Sequence, residues 1–298
     1  MTEGRIVLLD GATGTELQRR GVAMDKIAWS GAAVLTHPQT VREVHEDYIR
    51  AGAEVVISNT FGSTRQMLAP AGYGDRVEEV NRLGVELAID ANRRLGAAAD
   101  VAGSIAAMPP NFDRANYLSP ADELAAYREA TCALADAGAD LIALEMMEDT
   151  EHAARAMQAA KETGLPVWLG VSCKHADDGR LVGFGYQDTT LDEVLDALLP
   201  FRPDAVNIMH TNVHLVSAAL RTVRARWDGI VGVYPESGYF KSPNWQFVDV
   251  ISPADLVVES QRWIQEGVTM VGGCCGTGVE HIQALREALE YRSQRADW

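Results

Sequence analysis

The sequence predicts a closed (β/α)8 barrel, in which eight parallel strands alternate with eight helices. Short apolar runs of strand length alternate with longer segments of helical period along nearly all of the 298 residues. Eight such pairs can be counted, and polar, glycine or cysteine residues follow several of the apolar runs. An open doubly wound sheet is the rival architecture. It usually has fewer strands, and no G-x-G-x-x-G turn follows the first strand here.

Residues that favour helix ends separate the first four strand–helix pairs. Pro120 suits a first helical turn, because its missing N–H group would have no partner there. Gly52 and Gly138 stand where the C-terminus of a helix favours glycine. In chain order, the predicted strand and helix of each pair are residues 6–9 and 38–51, 53–58 and 75–95, 101–105 and 120–137, and 141–145 and 150–163.

The last four pairs continue the alternation, at residues 167–173 and 191–199, 205–209 and 213–227, 230–234 and 253–266, and 268–272 and 280–291. The connections over residues 11–36 and 235–252 are far longer than the roughly two to six residues usual for such loops. Long loops on this rim of a barrel are commonly functional. No linker or low-complexity tract interrupts the pattern, so we expect one domain over residues 1–298.

Charge and composition exclude some classes of function. Lys and Arg number 26 against 42 Asp and Glu, a formal net charge of −16, which disfavours binding to nucleic acid and to anionic membranes. No apolar run approaches the roughly 18 residues of a membrane-spanning helix. The first residues do not read as a secretion signal and cysteines are few, so a reduced, cytoplasmic setting is expected.

A cysteine pair follows the eighth predicted strand and points to a metal site. Cys274 and Cys275 have glycine on both sides, and glycine allows the backbone bend that would bring both sulfurs to one ion. Soft sulfur ligands select Zn²⁺, and a catalytic zinc needs about three protein ligands. His210, just beyond the sixth strand, is the best third ligand, and Cys173 is its competitor. The alternative is two small buried residues in a glycine-rich turn.

Two carboxylates follow the first and fourth strands on the same rim. Asp10 and Glu145 suit a cationic group such as an α-ammonium, and the turn at Gly11 could offer backbone N–H groups to a carboxylate. The alternative is that Asp10 caps the next segment and Glu145 pairs with a Lys or Arg. Four aromatic residues in or beside the loop after the seventh strand could shield a methylated cation by cation–π contact, namely Tyr234, Tyr239, Phe240 and Trp245.

Five segments in order resemble those of a known family. They are Asp-Gly-Ala-Thr-Gly-Thr-Glu-Leu-Gln-Arg-Arg-Gly (10–21), Ser-Asn-Thr-Phe (58–61), Gly-Ser-Ile (103–105), Asp-Leu-Ile-Ala-Leu-Glu (140–145) and Gly-Gly-Cys-Cys-Gly-Thr (272–277). With them the chain resembles the homocysteine S-methyltransferase family over essentially its whole length. The last segment is highly specific and the first moderately so.

The resemblance implies a zinc-bearing barrel that transfers a methyl group to the sulfur of homocysteine, giving methionine. By matching position, Cys274 and Cys275 would be zinc ligands. Asp10, Gly11 and Glu145 would hold the amino acid part of the acceptor. Three more rim residues complete the predicted substrate-binding set, namely Ala12, Asn59 and Asn207.

One position departs from the family pattern. The family has a third zinc-binding cysteine directly after the asparagine that ends the sixth strand, and here that position is Ile208. His210 lies two residues further on, which in a regular strand is the same side, so it is predicted to replace the lost ligand. The alternatives are a site that holds metal weakly and a site that holds none. A neutral imidazole makes the ligand set less negative and the bound thiolate less nucleophilic. We therefore expect a strongly activated donor, such as S-methylmethionine or S-adenosylmethionine.

Other functions remain open at this stage. A related barrel methyltransferase could use a different acceptor or a betaine-like donor, and a non-catalytic metal-binding relative could have lost turnover. A lyase that forms a Schiff base at Lys174 is a third possibility. In each enzyme the partners would be small molecules, and a homo-oligomer is possible.

Overall fold

The computed structural model describes residues 5–110, 113–241 and 246–296, so Trp245 lies outside the described residues. Eight parallel strands form the barrel and two short hairpins decorate it. The strands are β1 (Val7–Leu8), β2 (Val55–Ile57), β3 (Asp100–Ala106), β4 (Leu141–Met147), β5 (Val167–Val171), β6 (Lys174–His175), β7 (Leu181–Val182), β8 (Ala205–Asn212), β9 (Val231–Glu236), β10 (Tyr239–Lys241), β11 (Gln246–Val248) and β12 (Met270–Val271).

The barrel strands pair in the order β1-β12-β9-β8-β5-β4-β3-β2, and the hairpins are β6–β7 and β10–β11. Between β1 and β2 a single parallel bridge, Leu9 to Val55, brings the two ends of the sheet together. The predicted sixth, seventh and eighth strands are β8, β9 and β12. The predicted α/β barrel with parallel strands is therefore confirmed.

Helices separate the barrel strands and cover their outer face. Ser119, Thr190 and Ser252 each accept a backbone N–H bond at a helix start, which fixes where those helices begin. The helices are α1 (Thr13–Arg19), α2 (Ala33–Thr36), α3 (Pro38–Arg50), α4 (Arg65–Leu68), α5 (Val77–Leu95), α6 (Pro120–Asp136), α7 (His152–Glu162), α8 (Leu191–Leu198), α9 (Val216–Arg224), α10 (Pro253–Gln265) and α11 (Val279–Ala296). Within the described ranges, none of them has the length and apolar character needed to cross a membrane.

Side chains of the strands divide between an inner and an outer core. On β8, Ala205 and Met209 join the cluster inside the barrel, whereas Val206 and Ile208 join the larger cluster beneath the helices. This alternation is the period of two expected of a strand. A regular continuation would send residue 210 outward with Ile208.

A bulge interrupts that alternation at the carboxyl end of β8. Met209 pairs with Tyr234 and Asn212 with Glu236, so β8 has one residue more than β9 over this stretch. His210 lies at this bulge and has a positive φ of 50°. Its side chain turns to the inside of the rim, and the prediction that it shares a side with Ile208 is wrong. A similar bulge lies in β4, where Met146 has φ at 55°.

Candidate active site

A cavity of about 390 Å³ opens at the carboxyl ends of the strands. Catalytic sites of (β/α)8 barrels lie at this end. Six of the nine predicted site residues line it, namely Ala12, Asn59, Glu145, His210, Cys274 and Cys275. Asp10, Gly11 and Asn207 lie behind its wall.

Two thiols and one imidazole meet in this cavity. The Cys274 sulfur lies 3.1 Å from Nδ1 of His210 and 3.7 Å from the Cys275 sulfur. One ligand atom from each of the three residues can be chosen so that all lie within 4.8 Å of one another. The residues predicted to bind metal are thus brought together, although they come from β8 and from the turn after β12.

Backbone bonds to β9 fix the turn that carries the cysteines. The Cys274 N–H donates to the Pro235 carbonyl at 2.7 Å, and the Ser237 N–H donates to the Cys275 carbonyl at 2.9 Å. Gly276 follows with φ at 85°, a conformation that favours glycine. The glycine-rich sequence therefore presents two consecutive sulfurs on one side of the turn.

Glu145 holds the imidazole from its other side. Its Oε2 lies 2.6 Å from Nε2 of His210, and its Oε1 accepts a bond from the Ser104 hydroxyl at 2.5 Å. Because a carboxylate only accepts, Nε2 carries the hydrogen and Nδ1 is turned toward the sulfurs. The partner of Glu145 is thus a histidine, and not the Lys or Arg of the alternative prediction.

The charges of these groups depend on one another. Burial lowers the pKa of His210, but hydrogen bonds to Cys275 and Glu145 outweigh it and raise that pKa to about 10. The bond from Cys274 lowers the pKa of Cys275 to about 5, and burial raises the pKa of Cys274 well above its ordinary value. The pair shares one proton, and the cluster favours a thiolate beside an imidazolium.

Asp10 ties three strand ends together behind the cavity. Its carboxylate accepts bonds from the Ile57 N–H at 2.8 Å and from the Tyr234 hydroxyl at 3.0 Å, and burial raises its pKa. The Tyr234 hydroxyl also reaches the Gly11 carbonyl at 2.9 Å. A Cβ on Gly11 would lie 2.7 Å from the ring of Tyr48, so glycine allows this close approach. Asp10 is therefore connected to the cavity only indirectly, through its hydrogen bond with Tyr234, which lines the cavity.

The two predicted asparagines are placed differently. Asn59 lines the cavity and exchanges two bonds with Ser30, at 2.7 and 2.8 Å. Asn207 is fully buried inside the barrel against Gly232, and its amide atoms have no hydrogen-bond partner within the described ranges. Its predicted contact with substrate remains a prediction.

Sequence reasoning assigned no role to several residues of the cavity wall. Trp29 stacks on Phe61 with ring centroids 5.2 Å apart, and Phe61 lies 5.3 Å from the His210 ring. Glu236 ends β9, and burial together with the Cys275 charge raises its pKa to about 7. The sequence could have identified Glu236 as a site residue, because it directly follows a predicted barrel strand. Trp29 lies in a long irregular loop, and no sequence feature marks it as part of the cavity.

Two candidates from the sequence lie elsewhere. Cys173 is buried with its sulfur 3.8 Å from the Thr211 hydroxyl, and burial raises its pKa to about 11. Lys174 donates to the Phe184 carbonyl at 2.7 Å. Neither is among the residues that line the cavity in the described chain.

Comparison with known proteins identifies the family. The profile described as Homocysteine S-methyltransferase matches residues 7–289. The chain is 27% identical to Homocysteine S-methyltransferase 4 of Zea mays, over 96% of this chain and 90% of that protein. It is 28% identical to Homocysteine S-methyltransferase YbgG of Bacillus subtilis, over 94% and 93%. The metallated form of the homocysteine methyltransferase MmuM from Escherichia coli superposes with a TM-score of 0.78 at 27% identity, covering 96% of each chain. The chain therefore belongs to the homocysteine S-methyltransferase family, as its sequence predicted.

Proposed function

We propose that this chain is a zinc-dependent enzyme that moves a methyl group from a small sulfonium donor to the thiol of homocysteine, giving methionine. The donor would be of the S-methylmethionine or S-adenosylmethionine type. The observation that carries the proposal is the cluster of His210, Cys274 and Cys275 in the rim cavity. Membership of the family and the names of its relatives support homocysteine as the acceptor.

The donor set fits Zn²⁺, since thiolate and imidazole are its preferred ligands and their three atoms lie close enough to share an ion. His210 would bind through Nδ1, with Cys274 and Cys275 as the other ligands. A bound Zn²⁺ would keep the acceptor's thiol ionised at neutral pH. Three protein ligands leave the fourth position of a catalytic site to substrate.

The protein's own groups orient and enclose the reactants. Glu145 fixes the tautomer and the direction of the His210 ring through Nε2. Ala12 and Asn59 line the cavity directly, and we assign them to substrate contact with Glu145. Asp10 and Gly11 would act through the Tyr234 hydroxyl, which both of them position.

A sulfonium donor suits both the ligand set and the wall. The acceptor's thiolate attacks the methyl carbon, the C–S bond of the donor breaks, and its electron pair stays on a neutral thioether. Replacing a thiolate ligand by a neutral imidazole weakens the nucleophile, so a strongly activated methyl group is required. The aromatic rings of Trp29 and Phe61 offer a water-poor wall for a methylated cation.

Metal content tests the proposal first. We expect about one zinc per chain in protein purified without added metal, and its loss in Cys274→Ser. Cys173→Ser is the matched control, because it removes a buried thiol outside the cluster and should leave the zinc in place. A wild-type protein without zinc would contradict the proposed site.

Methyl transfer to homocysteine is then measured with each donor. Both sulfonium donors should outperform methylfolate, and methylfolate as the best substrate would contradict the donor assignment. Zinc without homocysteine methylation would favour a different acceptor, a betaine-like donor or a non-catalytic relative.

The site also constrains the setting of the reaction. Both cysteines must stay reduced to bind metal, and all four cysteines are free thiols. We therefore propose a reducing compartment such as the cytoplasm, with small-molecule partners. A homo-oligomer stays a prediction.

A further inference from the structure

We propose that Glu236 is the carboxylate that receives the positive charge of the methyl donor. The inference rests on the function proposed for the same cavity. It names the residue that would make the cavity select a sulfonium. Its basis is a carboxylate without a cationic partner, held beside the thiol cluster and accompanied by aromatic rings.

The backbone on both sides of Glu236 is bonded to the cysteine turn. Pro235 accepts the N–H of Cys274, and Ser237 donates to the carbonyl of Cys275. Glu236 therefore keeps a fixed place beside the thiols, and its side chain lines the same cavity as theirs. A rigid strand end is a precise support for a binding group.

The protein compensates the charge of Glu236 only in part, through the nearby charge of His210. Its side chain is only partly exposed, and the described residues give it no hydrogen bond or ion pair. No Lys or Arg lines the described part of the cavity, and the imidazole of His210 is already paired with Glu145. Burying an unpaired carboxylate is costly, so a cation supplied by a ligand would be strongly favoured there.

Aromatic rings come from the same connection between β9 and α10. Tyr239 and Phe247 belong to the β10–β11 hairpin and line the cavity with Glu236. Tyr239 is 57% exposed, an unusual state for a large ring and one that suits the mouth of a binding site. A carboxylate with aromatic faces is a combination that recognises methylated cations.

The charge of a sulfonium disappears as its methyl group leaves. A counter-ion therefore stabilises the bound donor more than the transition state, in which that charge is already partly lost. Glu236 should thus act on the affinity for the donor, and its removal should raise KM for the donor without lowering kcat.

Binding of two ligands that differ by one methyl group tests the proposal without turnover. S-methylmethionine and methionine share the α-ammonium and the carboxylate, and only the first carries a sulfonium. Isothermal titration should show S-methylmethionine bound about ten- to a hundredfold more weakly by Glu236→Gln than by the wild type. Methionine should change by less than about threefold.

Two variants control for charge and for structure. Glu236→Asp keeps the charge and should retain most of the preference for S-methylmethionine. Glu259→Gln removes an acid on α10 that pairs with Arg262 and should bind both ligands as the wild type does. All variants should keep their zinc and their melting temperature.

The outcomes separate this inference from the proposed function. Equal weakening of both ligands in Glu236→Gln would mean that Glu236 binds the α-ammonium, and unchanged binding would mean that it binds neither; each result overturns the proposal. A wild type that methylates homocysteine alongside either result keeps the proposed function. A wild type that binds neither ligand and methylates nothing overturns both.

Discussion

Both carboxylate oxygens of Glu145 form hydrogen bonds within the protein. The sequence predicts it beside the acceptor's ammonium, whereas its two oxygens are bonded to Ser104 and His210. A carboxylate behind a metal-binding imidazole fixes the ring and increases its basicity. If His210 binds metal as we propose, it needs such a partner, because an imidazole must be oriented to present one nitrogen.

Glu145→Gln should therefore weaken zinc binding by about ten- to a hundredfold, since the amide keeps the shape of the side chain and loses its charge. Competition with a chromophoric chelator measures the affinity. Ser104→Ala is the control, because it removes a bond to the other oxygen and leaves the charge, and its zinc affinity should fall much less. Wild-type zinc affinity in Glu145→Gln, combined with weak homocysteine binding, would instead assign Glu145 to the ammonium.

At the scale of elements, the alternation of strands and helices could be predicted because most of these segments are long enough to show a hydrophobic period. The predicted strand 141–145 and helix 120–137 lie within two residues of β4 and α6. Helices α1 and α2 were missed within the long first connection, because seven and four residues are too short to show a helical period.

The bulges explain why the site was predicted by residue type and not by geometry. His210 was identified because histidine after a barrel strand suits zinc, yet the argument from strand alternation failed at the extra residue of β8. A one-residue change in register reverses which side a side chain faces. The sequence does not mark the bulge, because the residue with φ at 50° is a histidine. A glycine at that position would have indicated an irregular backbone.

The cysteine turn is an element that should not tolerate a side chain at Gly276. A Cβ there would lie 2.3 Å from the Ser237 carbonyl oxygen, and Ser237 is bonded to Cys275. Gly276→Ala should lose roughly 3 kcal/mol of unfolding free energy, because alanine is strained at a positive φ and its Cβ would displace the turn. Displacement of the turn should also cost the protein its zinc. Denaturant unfolding and metal analysis measure the two effects.

Gly179 supplies the matched control for that substitution. Its φ of 84° is nearly that of Gly276 at 85°, but a Cβ on Gly179 would meet nothing within 4 Å. Gly179→Ala should lose only about 1 kcal/mol and keep its zinc. Equal losses in the two variants would show that backbone strain alone, and not contact with Ser237, explains the result at Gly276.

At the scale of the whole molecule, stability should depend on pH through a histidine far from the cysteines. His45 lies on α3, which packs against α1, α5 and α11, and it is fully buried. Neither ring nitrogen has a hydrogen-bond partner within the described ranges. Burial alone lowers its pKa from 6.5 to about 4, so the folded protein holds this ring neutral.

The sign of the effect follows from proton binding. Well above pH 6.5 the ring is neutral in both the folded and the unfolded protein and contributes nothing to the pH dependence. Between pH 6.5 and about 4 the unfolded chain binds a proton that the folded protein does not, so stability falls as pH falls. The loss approaches roughly 3 kcal/mol at pH 4, because each pKa unit corresponds to about 1.4 kcal/mol.

Substitution of His45 isolates this contribution from that of the buried carboxylic acids, which are common to both proteins. Relative to His45→Leu, the wild type should lose stability progressively as pH falls from 7 to 4, by up to roughly 3 kcal/mol in urea unfolding. His37→Leu, which removes an exposed imidazole just before α3, is the control for losing a histidine that the fold does not bury. A pH-independent difference for His45→Leu would mean that the barrel opens enough around α3 to solvate the charged ring.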